Sequence, residues 1–346
     1  MKIFYLGQMG AGTTSHHRAE ALRRLGHEVD ALDLNEALGS ALTGPLTSRV
    51  HYYTGYGLLQ SRVTRLLWAN AARIGASDVI WVNGGELLGR EAVLQLRALG
   101  PRIVLFNSDD PPGGRDGARF DGLIRALPAY DLCVTVRDAT LDDFRRLGAR
   151  RAIRVWMGCD EVVHAPPSEI ELSAAPCERG IVFIGTWIRG ENRDATLAAL
   201  IDMGLPISVF GDRWQRSPFW SKIGTAWKGA GLRDRAYTRV LVGADACLGF
   251  LSAGNRDLYT TRSLEIPYAG GVLIAQRTSE HVAMYREGEE ALFWDDAEEC
   301  AQQCRRVLED PALAARLRTG GMARARELGV GNETVVSTIL ETVMSI

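Results

Sequence analysis

Residues 254–275 read GNRDLYTTRSLEIPYAGGVLIA and contain the features that indicate the fold. They follow an apolar run at 246–251, and a short helix is predicted to begin near Tyr259. The helix leads through an Ala-Gly-Gly turn into a second apolar run at 272–275. The stretch therefore predicts two buried strands joined by a helix.

The same alternation of apolar runs and helical spacing extends along the chain. Strands are predicted at 3–6, 29–34, 78–82, 102–106, 132–136, 153–156, 181–185, 207–210, 246–251, 272–275 and 291–293. Helices are predicted at 15–25, 90–99, 121–126, 140–147, 192–203, 233–242, 298–309, 311–328 and 333–344. Strands that are apolar on both faces and are joined by helices are typical of parallel sheets covered on both sides.

The length of the chain and one break in its pattern predict the domain organisation. A chain of 346 residues is long enough for about two domains. The segment 164–176 holds three prolines and several small residues, which is typical of a linker. We predict an α/β protein with two Rossmann-like, doubly wound parallel-sheet domains, 1–165 and 177–328, that face each other across a cleft. A C-terminal helix in 329–346 is predicted to pack back on the first domain.

The composition excludes several classes of protein. Apolar residues make up 46% and charged residues 24%, as in globular chains, and the net charge of −2 favours neither nucleic acid nor an anionic membrane. The longest apolar runs, about seven residues, are too short to span a bilayer. The start, MKIFYLGQMG, lacks the features of a signal peptide, so the protein is predicted to be cytoplasmic. The six cysteines form no C-x-x-C pair, and we predict neither a metal site nor a cofactor.

A glycine-rich turn follows the first predicted strand. Residues 7–15 read GQMGAGTTS, whose spacing is not the G-x-G-x-x-G of dinucleotide-binding turns. Gly7 and Gly12 have P-loop spacing, but Thr13 stands where the P-loop lysine belongs, so kinase or ATPase chemistry is not predicted. Two interpretations stay open. The segment is a tight strand–helix turn, or it is a loop where Gly10 and Gly12 let a substrate approach the backbone and helix amides bind an anion.

The order of Asp257, seven residues and Glu265, followed by a glycine turn, resembles the signature of retaining GT-B glycosyltransferases, and this resemblance implies a nucleotide-sugar ligand that carries a diphosphate and a ribose. The N–H groups at the start of the predicted helix, around Thr260 and Thr261, can bind the diphosphate with help from Arg262. One turn later, Glu265 can accept hydrogen bonds from both ribose hydroxyls. Asp257 precedes the helix and can face the rest of the ligand.

The resemblance to retaining GT-B glycosyltransferases extends over nearly the whole chain. The sequences VLFNSDDP at 104–111 and EEALFWDD at 289–296 resemble the acceptor domain and the C-terminal tail of the family 4-like, spore-maturation-type group. This family usually has Glu in place of Asp257, whose side chain has a shorter reach. The resemblance implies metal-independent, retaining transfer from a nucleotide-sugar donor to a glycan, lipid-linked or small-molecule acceptor, as in polysaccharide biosynthesis.

The resemblance also implies a set of site residues. In the second domain, Asp257 faces the donor sugar as a catalytic residue and Glu265 binds the ribose. The other donor-binding candidates are Thr260, Thr261, Arg262, Lys228, Arg189, Arg193 and Gly211.

In the first domain, the candidates lie after a strand and on the first helix. Asp109 and His17 are predicted to be catalytic, with Asp110 next to the former. Tyr53 belongs to an aromatic-rich segment that can stack on a sugar. Tyr53 and Asp110, together with Gly10 and Gly12, are predicted to bind the acceptor. For each residue a structural role stays open: a turn, a solvated face or the core.

Three other functions stay open. A nucleotide-sugar epimerase of the same architecture would use Glu265 without any acceptor, and a non-catalytic partner subunit would bind the nucleotide sugar and turn over nothing. A dehydrogenase would bind a nicotinamide nucleotide. No strong amphipathic basic helix stands out in the sequence, and peripheral membrane association stays open for a lipid-linked acceptor.

Overall fold

Buried aliphatic runs form the strands of two parallel sheets, which confirms the predicted α/β class with two doubly wound sheets. The computed structural model describes residues 1–173 and 179–346. The chain divides into unit 1, which is Met1–Met157 with Asn332–Ile346, and unit 2, which is Gly158–Gly331. The domain bounds predicted from the sequence stay predictions, and one of them, residue 177, lies outside the described residues.

The sheet of unit 1 is built from six short strands. They are β1 (Lys2–Leu6), β2 (Glu28–Leu32), β3 (Val79–Asn83), β4 (Arg102–Phe106), β5 (Leu132–Thr135) and β6 (Ala152–Arg154). Their order is β2-β1-β3-β4-β5-β6, and Ile3 pairs with Val29 on one side and Val79 on the other. Strands β1, β3, β4 and β5 are almost wholly buried, which explains their continuous apolar sequence.

The first nine helices lie in unit 1. They are α1 (Thr14–Arg24), α2 (Leu34–Leu38), α3 (Ser40–Thr43), α4 (Pro45–Tyr53), α5 (Gln60–Ala69), α6 (Ala71–Gly75), α7 (Arg90–Ala98), α8 (Asp121–Ala126) and α9 (Asp138–Arg146). No element is predicted from the sequence between β2 and β3, where the structure has α2–α6. Helices α2, α3 and α6 have only four or five residues, too few to show a helical period, whereas α5 does bury an apolar stripe through Val63 and Leu67 that was overlooked.

The glycine-rich turn after β1 is tight. A Cβ atom on Gly7 would lie 2.6 Å from both the Tyr5 ring and the Ser15 hydroxyl, so only glycine fits there. Thr13 caps α1, because its Oγ1 accepts a hydrogen bond of 3.1 Å from the His16 N–H. Thr13, which stands where a P-loop has its lysine, therefore has a structural role.

Unit 2 repeats the parallel arrangement. Its strands are β7 (Ile181–Ile184), β8 (Ile207–Phe210), β9 (Trp227–Gly229), β10 (Ala246–Gly249), β11 (Leu273–Gln276) and β12 (Leu292–Trp294), in the order β12-β11-β10-β7-β8-β9. In the core, the Phe183 ring meets Trp214 and Phe250 edge to face, with centroids 5.9 and 4.9 Å away. The sheet is thus held by aromatic packing on its buried strand β7.

The remaining helices follow in chain order. They are α10 (Glu169–Ser173), α11 (Arg193–Asp202), α12 (Trp220–Ala226), α13 (Asp234–Gly243), α14 (Thr261–Ala269), α15 (Ser279–Met284), α16 (Ala297–Glu309), α17 (Pro311–Glu327) and α18 (Asn332–Met344). The last helix, α18, belongs to unit 1 and packs against α1 and β4. Within residues 1–173 and 179–346, no helix combines the length and apolar character needed to span a bilayer.

The described part of the predicted linker is anchored to unit 2. Arg235 on α13 forms an ion pair of 2.8 Å with Glu171 on α10, and it donates hydrogen bonds to the carbonyls of Val163 and Ala165. Residues 164–173 thus contain a short helix and are tied to α13 through Arg235, and the linker stays a prediction. Residues 174–176 of that linker lie outside the described residues.

Each sheet has a point where the strand order reverses, next to its first strand. In unit 1, β1 lies between β2 and β3, and in unit 2, β7 lies between β10 and β8. Loops that follow the strands on either side of such a point leave in opposite directions. The crevice between them, at the carboxyl ends of the strands, is where open α/β sheets bind ligands.

A chain of hydrogen bonds fixes the start of α14. The Nδ1 of His281 lies 2.6 Å from the Gln276 carbonyl, which can only accept, so Nδ1 carries the proton. Nε2 then accepts from the Ser263 hydroxyl at 2.7 Å, and that hydroxyl accepts from the Thr260 N–H at 3.1 Å. The end of β11 is thereby tied to the first turn of α14.

Arg318 on α17 holds the C-terminal ends of α13 and α14. It donates to the carbonyls of Val242, Ala244 and Gly270, which lie at the C-termini of α13 and α14. These carbonyls have no partner inside their helices, and the guanidinium supplies several donors at once. Arg318 therefore holds two helices of unit 2 in register.

We expect Arg318→Met to lower the free energy of unfolding of unit 2 by about 2–4 kcal/mol, because several buried carbonyls lose their donor. Urea unfolding followed by tryptophan fluorescence measures the change. Arg326→Met, at an exposed position of the same helix, is the control and should change stability by less than about 0.5 kcal/mol. Equal losses in the two variants would contradict the role of Arg318.

We also expect a pH dependence from His281. Burial lowers the pKa of His281 to about 4, whereas the unfolded chain takes up this proton below about pH 6.5. Between these values the unfolded state binds more protons, so the native state loses stability as the pH falls through that window. From pH 7 to pH 4.5, the loss in the parent should exceed that in His281→Gln by about 2–3 kcal/mol. Parallel stability curves for the two proteins would rule this coupling out.

Candidate functional site

A cavity of about 450 Å³ lies at the carboxyl ends of β7 and β8 in unit 2. Gly185 and Thr186 line it after β7, and Gly211 and Asp212 line it after β8. The segment 230–233 follows β9 and completes one wall. The cavity thus lies beside the reversal point of the sheet, as expected for a ligand site in this fold.

Glycines make the floor of this cavity. Gly211 has φ of +140°, and a Cβ atom there would lie 2.0 Å from the Gly185 carbonyl oxygen. The indole N–H of Trp214 donates to that same carbonyl at 2.8 Å, and the indole of Trp227 donates to the Gly211 carbonyl at 3.0 Å. The floor is therefore bare, rigid backbone that a ligand can approach closely.

Two arginines give the lining its positive charge. Arg233 and Arg262 both line the cavity, with Asp212 as the acidic residue of the lining. The Arg262 Nε–H donates to the Ile184 carbonyl at the end of β7, which fixes the side chain across the strand end. Together with the N-terminus of α14, whose first N–H groups have no partner inside the helix, this charge suits an anion.

Glu265 is held one turn into α14. It is 8% exposed, and its Oε2 accepts a hydrogen bond of 2.7 Å from the hydroxyl of Tyr237, a residue that lines the cavity. Burial and the Glu265 charge raise the pKa of Tyr237 well above its usual value, so the phenol remains a donor at neutral pH. The carboxylate is thus oriented and keeps acceptor capacity for a ligand.

His164 also faces Glu265. The Asp160 N–H donates to Nδ1 of His164 at 2.9 Å, so the neutral ring carries its proton on Nε2. That Nε2 lies 3.8 Å from Oε1 of Glu265. The motif offered no signal for this contact, because His164 and Glu265 are a hundred residues apart and meet only through the fold.

Several predicted donor-site residues come together here. Thr260, Thr261 and Arg262 form the start of α14, and Gly211 lies in the same cavity as Arg262. Asp257 is 7% exposed and lies in the loop that leads into α14. Of the residues selected from 254–275, Arg262 is the one in the described lining of the cavity, and Glu265 is hydrogen-bonded to Tyr237 of that lining.

Three basic residues that are predicted to bind the donor either lie outside the described cavity lining or bind other groups of the protein. Lys228 and Arg189 are exposed and are not part of the described lining of the cavity. Arg193 is buried, pairs with Glu191, and donates to the carbonyls of Thr186 and Leu251 at 3.2 and 3.1 Å. Arg193 therefore joins the loop after β7, which borders the cavity, to the loop after β10.

A second, smaller cavity of about 190 Å³ lies in unit 1 at the ends of β1, β3 and β4. Gly7, Asn83 and Asp109 line it from these three strand ends, and Glu86 and Arg119 close it. At about 30 Å³ per water, its volume corresponds to roughly six water molecules, or about one monosaccharide ring. It lies at the reversal point of the unit 1 sheet.

Arg119 connects the acidic groups around this cavity. Its guanidinium lies 3.5 Å from Glu86, 3.7 Å from Asp109 and 3.8 Å from Asp116. Asn83 is oriented by Arg18, which donates to its Oδ1. The lining therefore presents carboxylate oxygens around one arginine, an arrangement that favours hydroxyl donors over anions.

The sequence analysis missed the segment NGGE at 83–86 and Arg119. Gly84 and Gly85 both have positive φ, +94° and +85°, and they turn the chain so that Glu86 faces the cavity. The sequence does contain a signal for residues 83–86, because polar residues and two glycines directly follow a buried strand. Arg119 has no such signal, since it reaches the cavity from a loop far along the chain.

The other residues predicted in the first domain lie outside the described lining of the unit 1 cavity. Gly10 is exposed, Gly12 has φ of +73° in the turn, and His17 is buried on α1. Asp110 is buried and accepts a hydrogen bond of 2.8 Å from the Thr140 hydroxyl. Tyr53 is 64% exposed on α4. Of the predicted first-domain residues, Asp109 is the one that the structure places in the cavity.

Within residues 1–173 and 179–346, no group of three or more His, Cys, Asp or Glu side chains is arranged to hold a metal ion.

Comparisons with known proteins agree with this architecture. Residues 193–337 match the family model described as glycosyl transferase-like. No curated protein matches the chain in sequence. The fold is similar to that of sucrose-phosphate synthase from Thermosynechococcus elongatus, with a TM-score of 0.72, 16% identity, and coverage of 100% of this chain and 99% of the other.

Two further solved structures are similar over their whole length. HepE from Anabaena, determined in complex with UDP-glucose, has a TM-score of 0.69 at 14% identity, with 100% of both chains covered. The α,α-trehalose-phosphate synthase (UDP-forming) from Burkholderia xenovorans, in complex with glucose-6-phosphate, has a TM-score of 0.66 at 15% identity, with 99% and 100% covered. At these identities the likeness shows the shared fold. The family match covers residues 193–337, most of unit 2, and the shared fold is of the GT-B type.

Proposed function

We propose that this protein is a glycosyltransferase, which binds a UDP-sugar in the unit 2 cavity and transfers the sugar to a hydroxyl acceptor with retention of anomeric configuration. The observation that carries the proposal is Glu265, which Tyr237 holds beside a cavity lined by two arginines. HepE binds UDP-glucose and the trehalose-phosphate synthase is UDP-forming, which supports uridine as the base. The acceptor is a glycan, a lipid-linked molecule or a small molecule.

The parts of the donor suit different parts of the cavity. The diphosphate binds Arg262, Arg233 and the N-terminus of α14 through Thr260 and Thr261, because charge-assisted bonds and free helix amides favour anions. The ribose hydroxyls donate to Glu265. The base lies against the segment 230–232, and the bare glycine floor gives it room.

Stabilisation of the leaving diphosphate supplies most of the catalysis in this proposal. As the sugar–phosphate bond breaks, negative charge grows on the diphosphate beside Arg262 and Arg233, so transfer proceeds without a bound metal ion. Exposed Lys228 and Arg189 add charge when the donor is bound. Asp257 faces the sugar from the loop before α14.

The acceptor binds in the unit 1 cavity in this proposal. Asp109 and Glu86 accept hydrogen bonds from sugar hydroxyls, and Asn83 offers both a donor and an acceptor. The predicted roles of His17, Asp110, Gly10, Gly12 and Tyr53 remain proposals. The carboxylate-rich lining favours an uncharged hydroxyl group over a phosphate at this position.

Calorimetric titration with UDP, GDP, dTDP, ADP and CMP tests the donor site, with and without EDTA. We expect UDP to bind and EDTA to have no effect. Glu265→Ala should weaken UDP binding at least about 30-fold, because hydrogen bonds to a charged group contribute about 1.5–3 kcal/mol each. Glu309→Ala, at an exposed position of α16, is the matched control and should bind as the parent does.

The Tyr237→Phe variant keeps the Glu265 carboxylate but removes the hydrogen bond that orients it. This variant should weaken UDP binding less than Glu265→Ala and should narrow the preference for UDP over 2′-deoxy-UDP. Unchanged UDP binding in Glu265→Ala would falsify the ribose role. Binding of nicotinamide nucleotides in place of UDP would overturn the donor proposal.

The configuration of the released sugar tests retention without a known acceptor. When the enzyme slowly hydrolyses UDP-α-glucose, proton NMR should detect α-glucose first, before it mutarotates. Early β-glucose would show inversion and contradict the proposal. A rearranged UDP-sugar would indicate an epimerase, and binding without any turnover would indicate a partner subunit.

A further inference from the structure

Helix α4 exposes the side of its surface that amphipathic helices normally bury. Leu46, Arg49, Val50 and Tyr53 have the spacing i, i+3, i+4 and i+7, so they form one stripe. All four are exposed, and Leu46 is 80% and Tyr53 64% accessible. A stripe of this kind normally faces a core, which makes its exposure informative.

The next segment continues this pattern. Leu58 and Trp68 are 65% and 67% exposed, and between them Arg62 and Arg65 are exposed on α5. The opposite side of α5 is buried in the core of unit 1 through Val63 and Leu67. The outer side of α5 therefore adds arginines and a tryptophan to the apolar side chains of α4.

The charge of this region has one sign. Residues 37–77 contain no Asp or Glu, although about one residue in eight of the whole chain is acidic. Arg73 pairs with Asp30, which lies outside the region. Within the described residues, Arg49, Arg62 and Arg65 have no carboxylate within ion-pair distance. The exposed apolar groups are thus accompanied by three uncompensated positive charges.

We propose that the α4–α5 surface, formed by Leu46, Arg49, Val50, Tyr53, Leu58, Arg62, Arg65 and Trp68, docks on an anionic lipid bilayer. Leucine and valine enter the acyl boundary, tryptophan and tyrosine suit the headgroup level, and arginines bind acidic headgroups. Exposed aliphatic side chains contribute little to binding a polyanion such as nucleic acid, so the combination favours a membrane.

Docking of this kind is independent of the donor site in unit 2. One consequence does rest on the proposed function: among the proposed acceptors, a lipid-linked molecule is the class found at such a surface. The net charge of −2 gave no indication of this surface, because acidic residues elsewhere cancel its local charge.

Flotation of the full chain with vesicles tests the proposal. We expect binding to vesicles of 70% phosphatidylcholine and 30% phosphatidylglycerol, and at least tenfold weaker binding to pure phosphatidylcholine. The triple variant R49Q/R62Q/R65Q should lose about 100-fold in affinity for the anionic vesicles, because each arginine near the surface contributes about fivefold. The variant L46S/L58S should lose about tenfold or more, because its apolar contacts are removed.

A matched control removes the same amount of positive charge from another part of unit 1. R90Q/R102Q/R151Q removes three other exposed arginines and should bind the anionic vesicles as the parent does. An equal loss in this control would overturn the proposal, because net charge alone would then explain binding. Full retention of binding in R49Q/R62Q/R65Q, equal binding to both vesicle types, or binding to RNA that L46S/L58S leaves unchanged would overturn it as well.

Two measurements keep this test separate from folding and from the donor site. Circular dichroism should show the same thermal midpoint for all variants within about 2 °C, since the substituted side chains are exposed. UDP binding in solution, without vesicles, should be the same in the docking variants as in the parent. Loss of vesicle binding with intact UDP binding then reports on the α4–α5 surface alone.

Discussion

The hydrogen bond from a guanidinium to a main-chain carbonyl is the interaction on which much of this structure depends. Parallel strands and short helices end in carbonyls that have no partner in their own element, and such groups are costly when buried. Arg318 donates to carbonyls at helix ends in unit 2, and Arg262 donates to a carbonyl at the end of β7. In unit 1, Arg137 donates to the carbonyls of Ser108 and Asp109. The chain has three lysines among its 40 basic residues. The planar, multidentate guanidinium satisfies several carbonyls at once, which an ammonium group does not.

This use of arginine also shapes the site. Arg193 joins the loops after β7 and β10, and Arg262 crosses the end of β7 while it lines the cavity. The groups that stiffen the strand ends therefore also charge the place where an anion binds. A site built in this way keeps its positive charges fixed before the ligand arrives, which lowers the reorganisation needed during the reaction.

Local sequence patterns predicted the sheets well, because buried strands are apolar whatever surrounds them. The strands Arg102–Phe106 and Ile207–Phe210 have the predicted bounds, and the helix that carries Glu265 was placed correctly from its motif. The contacts of Glu265 with His164 and Tyr237, and the approach of Arg119 to Glu86, depend on residues distant in sequence, which local patterns do not report. The region 34–75 was missed for a different reason. Three of its helices, α2, α3 and α6, have only four or five residues, which is too few to show a helical period.

The chain leaves unit 1 after Met157 and returns to it at Asn332, so unit 2 is an insertion in the sequence of unit 1. The returning helix α18 buries Val336, Ile339 and Val343 against its own unit. During synthesis the ribosome must therefore translate all of Gly158–Gly331 before unit 1 receives its last helix. At 5–20 residues per second this delay lasts about 9 to 35 s. Throughout it, the surface that α18 covers on α1 and β4 stays open, and a nascent chain at this stage is a natural client for chaperones.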